Sequence, residues 1–85
     1  MKLKDSFIIT VQDGTQILID SSTGFKGMIK NNPTAAYIVE CLKEECDIDS
    51  IVEKMSERYD VERDILYNDV IKTIEALKRA GAIDE

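Results

Sequence analysis

The chain has no histidine, and this absence limits the chemistry that it can perform. Without an imidazole, general acid–base catalysis would fall to aspartate, glutamate, lysine or tyrosine. Along the sequence there is no nucleophile beside a base, no glycine-rich phosphate loop and no spacing typical of metal ligands. The sequence therefore predicts a protein that is not an enzyme and that has neither a cofactor nor a metal.

Only two cysteines occur, Cys41 and Cys46, and both fall in a stretch that we interpret as helical. Their spacing places them ~140° apart on a helix of about 3.6 residues per turn, which suits neither a disulfide nor a shared metal. Reduced thiols fit a reducing cytosol. No apolar segment has the length or flanks that a signal peptide or a membrane span requires. We therefore expect a cytoplasmic protein.

Basic residues are few: 11 Lys and Arg stand against 17 Asp and Glu, and the net charge is −6. Because phosphate backbones and membrane surfaces are anionic too, this charge argues against nucleic acid and against a membrane as the partner. The 85 residues, of which 44% are apolar, suffice for one small globular domain. We expect a single domain over residues 1–85 with a neutral or basic partner.

Runs of β-branched and aromatic residues before residue 31 predict three strands. Residues 7–11 and 16–20 flank Asp13-Gly14, a tight-turn dipeptide, and together they predict a β-hairpin. A second turn follows at residues 21–24. Residues 25–30 then predict a third, shorter strand.

Residues 32–80 predict three helices. Asn32 can cap the first helix, and Pro33 suits its first position. Asp47 can cap a second helix, and Asp60 precedes a third, longer helix that Gly81 ends. Because a small sheet needs helices over its apolar face, this order predicts an α+β fold with three helices packed on a three-stranded antiparallel sheet.

In a meander, the third strand lies at an edge of the sheet, and its outward N–H and C=O groups lack partners. Proteins either block such edges or use them, and this strand contains no proline that would prevent pairing. An extended peptide could add a fourth strand there and place alternate side chains against the third helix. Leu66 and Val70 could line that groove, although residues of this kind at helical spacing are more often core residues. Asp69 and Glu75 could attract a basic residue of the peptide.

The sequence resembles the PqqD-like proteins over nearly its whole length. The resemblance is carried by the strand-to-helix junction Phe25-x-Gly27-x-Ile29-x-x-Asn32-x-Thr34-Ala35, by Ile51-Val52-x-x-Met55 with Tyr59-Asp60-Val61, and by Asp69-Val70 with Leu77-x-x-Ala80-Gly81-x-Ile83. Two positions depart from the family pattern: Asn31 often has an apolar counterpart, and Val39 often has an aromatic one. Both departures leave the preferred ligand open.

This resemblance implies a fold akin to a winged helix-turn-helix and a recognition element (RRE) of ribosomally synthesised and modified peptides (RiPPs). Such domains bind the leader of a precursor peptide and deliver it to a modifying enzyme such as a radical-SAM protein, a cyclase or a leader peptidase. The leader pairs with the third strand and packs on the third helix, and we expect a monomer or weak dimer. Carried over by position, the peptide-binding residues are Phe25, Lys26, Gly27, Met28, Ile29, Lys30, Ile65, Leu66, Asp69, Val70 and Thr73.

Two other classes of function fit part of the sequence. Asp49-Ser50-Ile51 resembles the tripeptide that carries phosphopantetheine in acyl carrier proteins, but those proteins are helical from their start, and residues 7–19 predict strands. A nucleic-acid-binding winged helix would have the same fold. Its recognition helix, however, would mix Lys and Arg with Asp and Glu, and direct base readout calls for basic or amide side chains on one exposed face.

Overall fold

The computed structural model describes residues 1–23 and 28–84, and within these ranges it confirms the α+β class. The elements in chain order are β1 (Lys2–Leu3), β2 (Phe7–Gln12), β3 (Thr15–Asp20), a 3-10 turn (Ser21–Thr23), β4 (Met28–Asn31), α1 (Pro33–Cys41), α2 (Ile48–Arg58), α3 (Arg63–Arg79) and β5 (Ile83–Asp84). β2, β3 and β4 form an antiparallel sheet in that order.

The predicted hairpin is confirmed, and its turn has the expected handedness. Asp13 and Gly14 both have positive φ, 51° and 77°. Two such residues in a row are typical of a type I′ turn, whose twist matches that of the flanking strands. The turn fixes the register, so that Gln12 pairs with Thr15.

The third strand of the main sheet, β4, ends one residue later than predicted. Asn31 pairs with Gln16, so the ladder continues through a position where the family pattern often has an apolar residue. Of the predicted strand, Phe25, Lys26 and Gly27 lie outside the described residues.

A second, two-stranded sheet joins the two ends of the described chain, and the sequence did not predict it. Leu3 of β1 pairs with Ile83 of β5. The Leu3 N–H also donates to the Leu42 carbonyl over 2.9 Å, which holds β1 against the end of α1. The expectation that Ile83 packs back on the body is confirmed, because its side chain is buried.

The predicted helix boundaries rest on capping residues that the structure confirms. The Ala35 N–H donates to Asn32 Oδ1 over 2.8 Å at the start of α1. Asp47 and Ser50 form a reciprocal capping box at the start of α2. Gly81, with a φ of 74°, follows the last residue of α3 and its C-cap.

The two cysteines do not share a helix, so that part of the sequence interpretation is wrong. Cys41 is the last residue of α1, and Cys46 lies in the connection to α2. The helix ends early because the Leu42 N–H bonds to both the Ile38 and the Val39 carbonyls, which tightens the last turn. Both thiols are free, and burial raises the pKa of each.

The core lies between the inner face of the main sheet and the apolar faces of the helices. Leu18, in the central strand, is fully buried there, and so is Val70 in α3. The buried members of this core are Leu3, Phe7, Leu18, Ile38, Val39, Leu42, Ile51, Val52, Met55, Leu66, Val70, Ile74, Leu77, Ala82 and Ile83. Among the described helices, none is both long enough and apolar enough to cross a membrane.

Candidate functional site

The open side of β4 is the first feature of the candidate site. β4 bonds to β3 on one side, and no described strand bonds to its other side. In an antiparallel ladder, hydrogen-bonded pairs alternate with non-bonded pairs, and the residues flanking a two-residue I′ turn form a bonded pair. When the alternation is counted from the Gln12–Thr15 pair, the main-chain N–H and C=O groups of Ile17 and Ile19 point towards β2. Those of Gln16 and Leu18 point towards β4.

The same alternation assigns the main-chain groups of β4. Asn31 and Ile29 face Gln16 and Leu18, and they use their N–H and C=O groups within the sheet. Met28 and Lys30 consequently direct their N–H and C=O groups towards the open side. Both residues are exposed, and the Met28 side chain retains 55% of its accessible surface. These two residues form a short ribbon of main chain that can pair with another strand.

A groove of about 230 Å³ runs beside this ribbon, on the face of the sheet that carries α3. Ile29 and Asn31 project into it, because alternate residues of a strand share a face. The remaining lining residues come from the first turn of α1 and from α3: Ala35, Lys72, Thr73, Ala76 and Leu77. A strand added to β4 would place every second side chain over this groove.

A buried polar network positions the end of β4 next to α1. Gln16 is only 7% exposed. Its Nε2 donates to the Ala36 carbonyl over 3.1 Å, and its Oε1 accepts from Asn31 Nδ2 over 2.7 Å. Because one amide thus joins β3, β4 and α1, it fixes the angle between the open edge and the helices.

The structure brings part of the predicted binding set together. Met28, Ile29 and Lys30 form the edge, and Thr73 lines the groove opposite Ile29. Ile65 and Asp69 are exposed and precede Thr73 by two turns and one turn, so the three residues form one row along α3.

Leu66 and Val70 are core residues, which decides between the two positions, groove or core, that the sequence allowed. They are 3% and 0% exposed, so they form the interior wall of α3 rather than the surface of the groove. Ala76 was missed, although its spacing of three residues from Thr73 on a helix could have indicated it. The role of Gln16 had no signal in the sequence, because an isolated polar residue in a strand usually faces solvent.

The groups needed for other chemistries are engaged or dispersed. The Ser50 Oγ donates to the Asp47 carbonyl over 2.9 Å, and the Ser50 N–H donates to Asp47 Oδ1 over 2.8 Å. Ser50 is thus a capping residue of α2, and the strands that precede it differ from the all-helical start of a carrier protein. Within residues 1–23 and 28–84, no three side chains of the metal-ligating types gather closely enough to hold a metal.

Comparison with solved structures finds the same fold in two proteins that bind peptides. "Lasso peptide synthetase B1 complexed with the leader peptide" is 25% identical, with a TM-score of 0.79 over 95% of this chain and 93% of that chain. "TbiB1 in Complex with the TbiA(beta) Leader Peptide" is 21% identical, with a TM-score of 0.85 over 99% of this chain and 95% of that chain. The second likeness concerns the fold alone.

No curated protein matches the sequence. The family model described as "Coenzyme PQQ synthesis protein D (PqqD)" matches residues 15–83, which takes in β3, β4 and all three helices. The resemblance that the strand-to-helix junction and α3 indicate is therefore confirmed, and the chain belongs to the PqqD family.

Proposed function

We propose that this protein binds the leader of a ribosomally synthesised precursor peptide and presents it to a modifying enzyme. The observation that carries the proposal is the open edge of β4 beside the groove on α3. The family match and the leader-peptide complex of the 25% identical neighbour support it. Neither a carrier protein nor a nucleic-acid-binding domain has comparable support.

The leader binds as a fourth strand of the main sheet. Its main chain exchanges hydrogen bonds with Met28 and Lys30, which provides affinity without selecting a sequence. The preceding residues Phe25, Lys26 and Gly27, which are not described, belong to the same proposed contact.

Selectivity comes from α3. A leader side chain that enters the groove meets the half-buried Thr73 and the small Ala76, so an aliphatic side chain fits better than a charged one. Farther along the same row, Asp69 and Ile65 are exposed and contact the next side chains of the leader. Asp69 favours a basic leader residue, whereas Lys72 at the groove favours an acidic one.

The protein contributes position rather than chemistry. Holding the leader raises the effective concentration of the attached precursor at the modifying enzyme. A radical-SAM protein, a cyclase or a leader peptidase would each benefit in the same way, so the adaptor need not match one reaction. We infer that it works in the cytoplasm as a monomer or weak dimer and that it has no catalytic role of its own.

A pair of variants at Met28 tests the strand addition. Met28→Pro removes an N–H that points away from β3, so the ladder with β3 stays intact and the domain stays folded. The leader then loses a hydrogen bond and keeps an unpaired carbonyl, and its affinity falls more than about tenfold. Met28→Ala keeps the N–H and loses affinity by no more than about fivefold. Fluorescence anisotropy with a labelled candidate leader peptide that wild type binds measures both. Equal affinity of wild type and a folded Met28→Pro would remove the proposal.

A second pair of variants tests the groove on α3. Thr73→Arg fills the groove, and we expect leader affinity to fall about tenfold or more, since a buried aliphatic side chain contributes about 1.5–3 kcal/mol. Tyr67→Arg also replaces a neutral side chain of α3 with arginine, on the exposed side of the helix that faces away from Lys72 and Ala76, and serves as the control. If the two arginines weakened the leader equally, a general charge effect would replace the groove as the explanation.

A further inference from the structure

The side of α3 that faces away from the α3 groove has an exposed surface of its own, the far flank. Tyr67 and Thr73 lie on opposite sides of the buried stripe of α3, about 120° apart around the helix axis. Tyr67 is 44% exposed, and its ring and hydroxyl make no ring contact or hydrogen bond with a described residue. Ile71, one turn farther along this flank, is half-buried. The far flank thus presents apolar surface that the described chain does not cover.

A depression of about 450 Å³ lies between the far flank and the start of α2. Tyr67 lines it from α3, and Ile48 and Asp49 line it from the first turn of α2. Asp47 and Met1 complete the lining. An aromatic ring and carboxylates from two different helices therefore meet at one mouth. This combination suits a guanidinium group, which can stack on the ring and donate to a carboxylate at the same time.

The two carboxylates at the mouth differ in what they already bind. Asp47 accepts the Ser50 N–H over 2.8 Å, and this bond lowers the pKa of Asp47, so that it is charged at neutral pH. Asp49 is exposed and makes no hydrogen bond or ion pair with a described residue. The Asp49 carboxylate is therefore open to a ligand that enters beside Tyr67.

Two cations near this mouth are already matched by carboxylates. The Met1 amine, which lines the depression, bonds to Glu45 Oε1 over 2.6 Å. Arg63, one turn before Tyr67 on α3, bonds to Glu53 Oε2 over 2.9 Å. Neither cation consequently offsets the charge of the carboxylates in the mouth.

The far flank as a whole carries a surplus of negative charge. Asp64 and Glu75 are exposed on it, one turn before Tyr67 and one turn after Ile71. Lys78, one turn beyond Glu75, offsets one carboxylate. With Asp47 and Asp49 across the depression, the described residues of this surface still favour a positively charged ligand.

Charge then selects among the possible occupants. A second copy of the chain would bring the same carboxylates and a net charge of −6, which disfavours pairing. Nucleic acids and membrane surfaces are negative as well. A basic protein segment is attracted by the whole chain and by the far flank alike. Arginine fits better than lysine, because its planar guanidinium can stack on Tyr67 while it bonds to Asp49.

We propose that the far flank of α3 binds an arginine-bearing segment of a partner protein, with one arginine entering between Tyr67 and Asp49. The α3 groove lies on the opposite side of the same helix, so a leader and this partner can be bound at the same time. That joint role rests on the proposed function, whereas docking of the arginine segment does not.

The probe is a synthetic peptide in which arginine alternates with alanine, and two control peptides carry lysine or glutamate in place of each arginine. NMR of the ¹⁵N-labelled protein at low salt follows binding. We expect the arginine peptide to shift the amide resonances of Ile48, Asp49 and Tyr67. The lysine peptide should bind about threefold more weakly, and the glutamate peptide should cause no shifts. High salt should weaken both basic peptides.

Two charge neutralisations locate the site. Asp49→Asn should weaken the arginine peptide about fivefold. Glu57→Gln, at an exposed position about 12 Å farther along α2, should leave the affinity unchanged. Equal effects of the two variants, or equal binding of the arginine and lysine peptides, would overturn the proposal. Amide shifts at Tyr67 that grow with protein concentration in the absence of peptide would overturn it in favour of a dimer.

Two arginine substitutions separate this site from the α3 groove. Tyr67→Arg should weaken the arginine peptide more than tenfold and leave leader affinity unchanged, because it removes the ring and adds a like charge. Thr73→Arg should have the reverse effects. A folded Tyr67→Arg that kept its affinity for the arginine peptide would refute the far-flank site. A Thr73→Arg that kept its affinity for the leader would count against the proposed function and leave the far-flank site standing.

Discussion

The buried amide of Gln16 gives the sharpest test of how the binding edge is held in place. It makes two hydrogen bonds, to the Ala36 carbonyl and from the Asn31 side chain. A side-chain hydrogen bond contributes about 0.5–1.5 kcal/mol net, so Gln16→Ala should lower the free energy of unfolding by about 2 kcal/mol. For a domain of this length, that corresponds to a Tm about 8–16 °C lower.

Asn31→Ala removes only the bond between the two side chains and should cost about 1 kcal/mol. The double variant should cost about 2 kcal/mol, no more than Gln16→Ala alone, because the second change finds no bond left to break. The cycle then gives a coupling energy of about 1 kcal/mol.

Urea unfolding followed by circular dichroism measures all four proteins, and an unchanged m-value confirms that the unfolding reaction is the same. Costs that add to within about 0.3–0.5 kcal/mol would refute the reasoning, since independent sites behave in that way. Among these four proteins, leader affinity should decrease in the same order as the free energy of unfolding, because Gln16 fixes the end of β4.

The remaining predictions concern the helices. Leu66→Ala should lower the free energy of unfolding by about 2–5 kcal/mol, because it opens a cavity in the core. Ile65→Ala, on the exposed surface, should change the free energy of unfolding by no more than about 0.5 kcal/mol. Urea titrations that gave equal losses for the two variants would contradict the assignment of Leu66 to the core and Ile65 to the surface. The hydrogen bond from the Ser50 N–H to Asp47 Oδ1 lowers the pKa of Asp47. Its cap therefore stabilises the fold above the unfolded-chain pKa of about 3.9, and that stabilisation is lost as the pH falls through the lower folded value. The difference in stability between wild type and Asp47→Ala should thus become smaller as the pH is lowered. Thermal melts of both proteins over a pH series measure it, and a difference in Tm that stayed constant with pH would contradict the capping argument.

The elements that could be predicted from the sequence are those with a local physical cause. Asp13-Gly14 supplies two residues that tolerate positive φ, so the hairpin and its register follow from four or five neighbours in the chain. Asn32 and Asp47 satisfy free helical N–H groups within their own first turns. An edge strand beside a helix follows from the order of such elements, and for that reason the candidate site could be outlined from the sequence alone.

The elements that escaped prediction depend on contacts distant in sequence. β1 and β5 have two residues each, too few for any periodicity, and they exist because Leu3 meets Ile83 across the whole chain. Cys46 resembles a helical residue in sequence, yet its N–H donates to the Met1 carbonyl over 3.0 Å, a bond that no local pattern announces. Leu66 and Val70 could be groove or core on pattern alone, and only packing decides between the two.

The outer face of the main sheet adds a step to the account of leader binding. Ile17 projects from that face, away from Leu18 and the helices, and yet it is only 3% exposed. Its neighbours in register, Thr10 and Lys30, flank it on both sides and shelter it from water. Met28 projects from the same face but has a neighbour on one side only, and it stays 55% exposed.

A leader strand beside β4 would supply the missing neighbour of Met28. Burying the rest of that side chain contributes on the order of 1 kcal/mol, which is the reason for the fivefold limit given to Met28→Ala. The leader residue next to Met28 should therefore be aliphatic or aromatic, although it faces away from α3. If replacing that residue with serine left the affinity of wild type unchanged, the leader would be held by its main chain and the α3 groove alone.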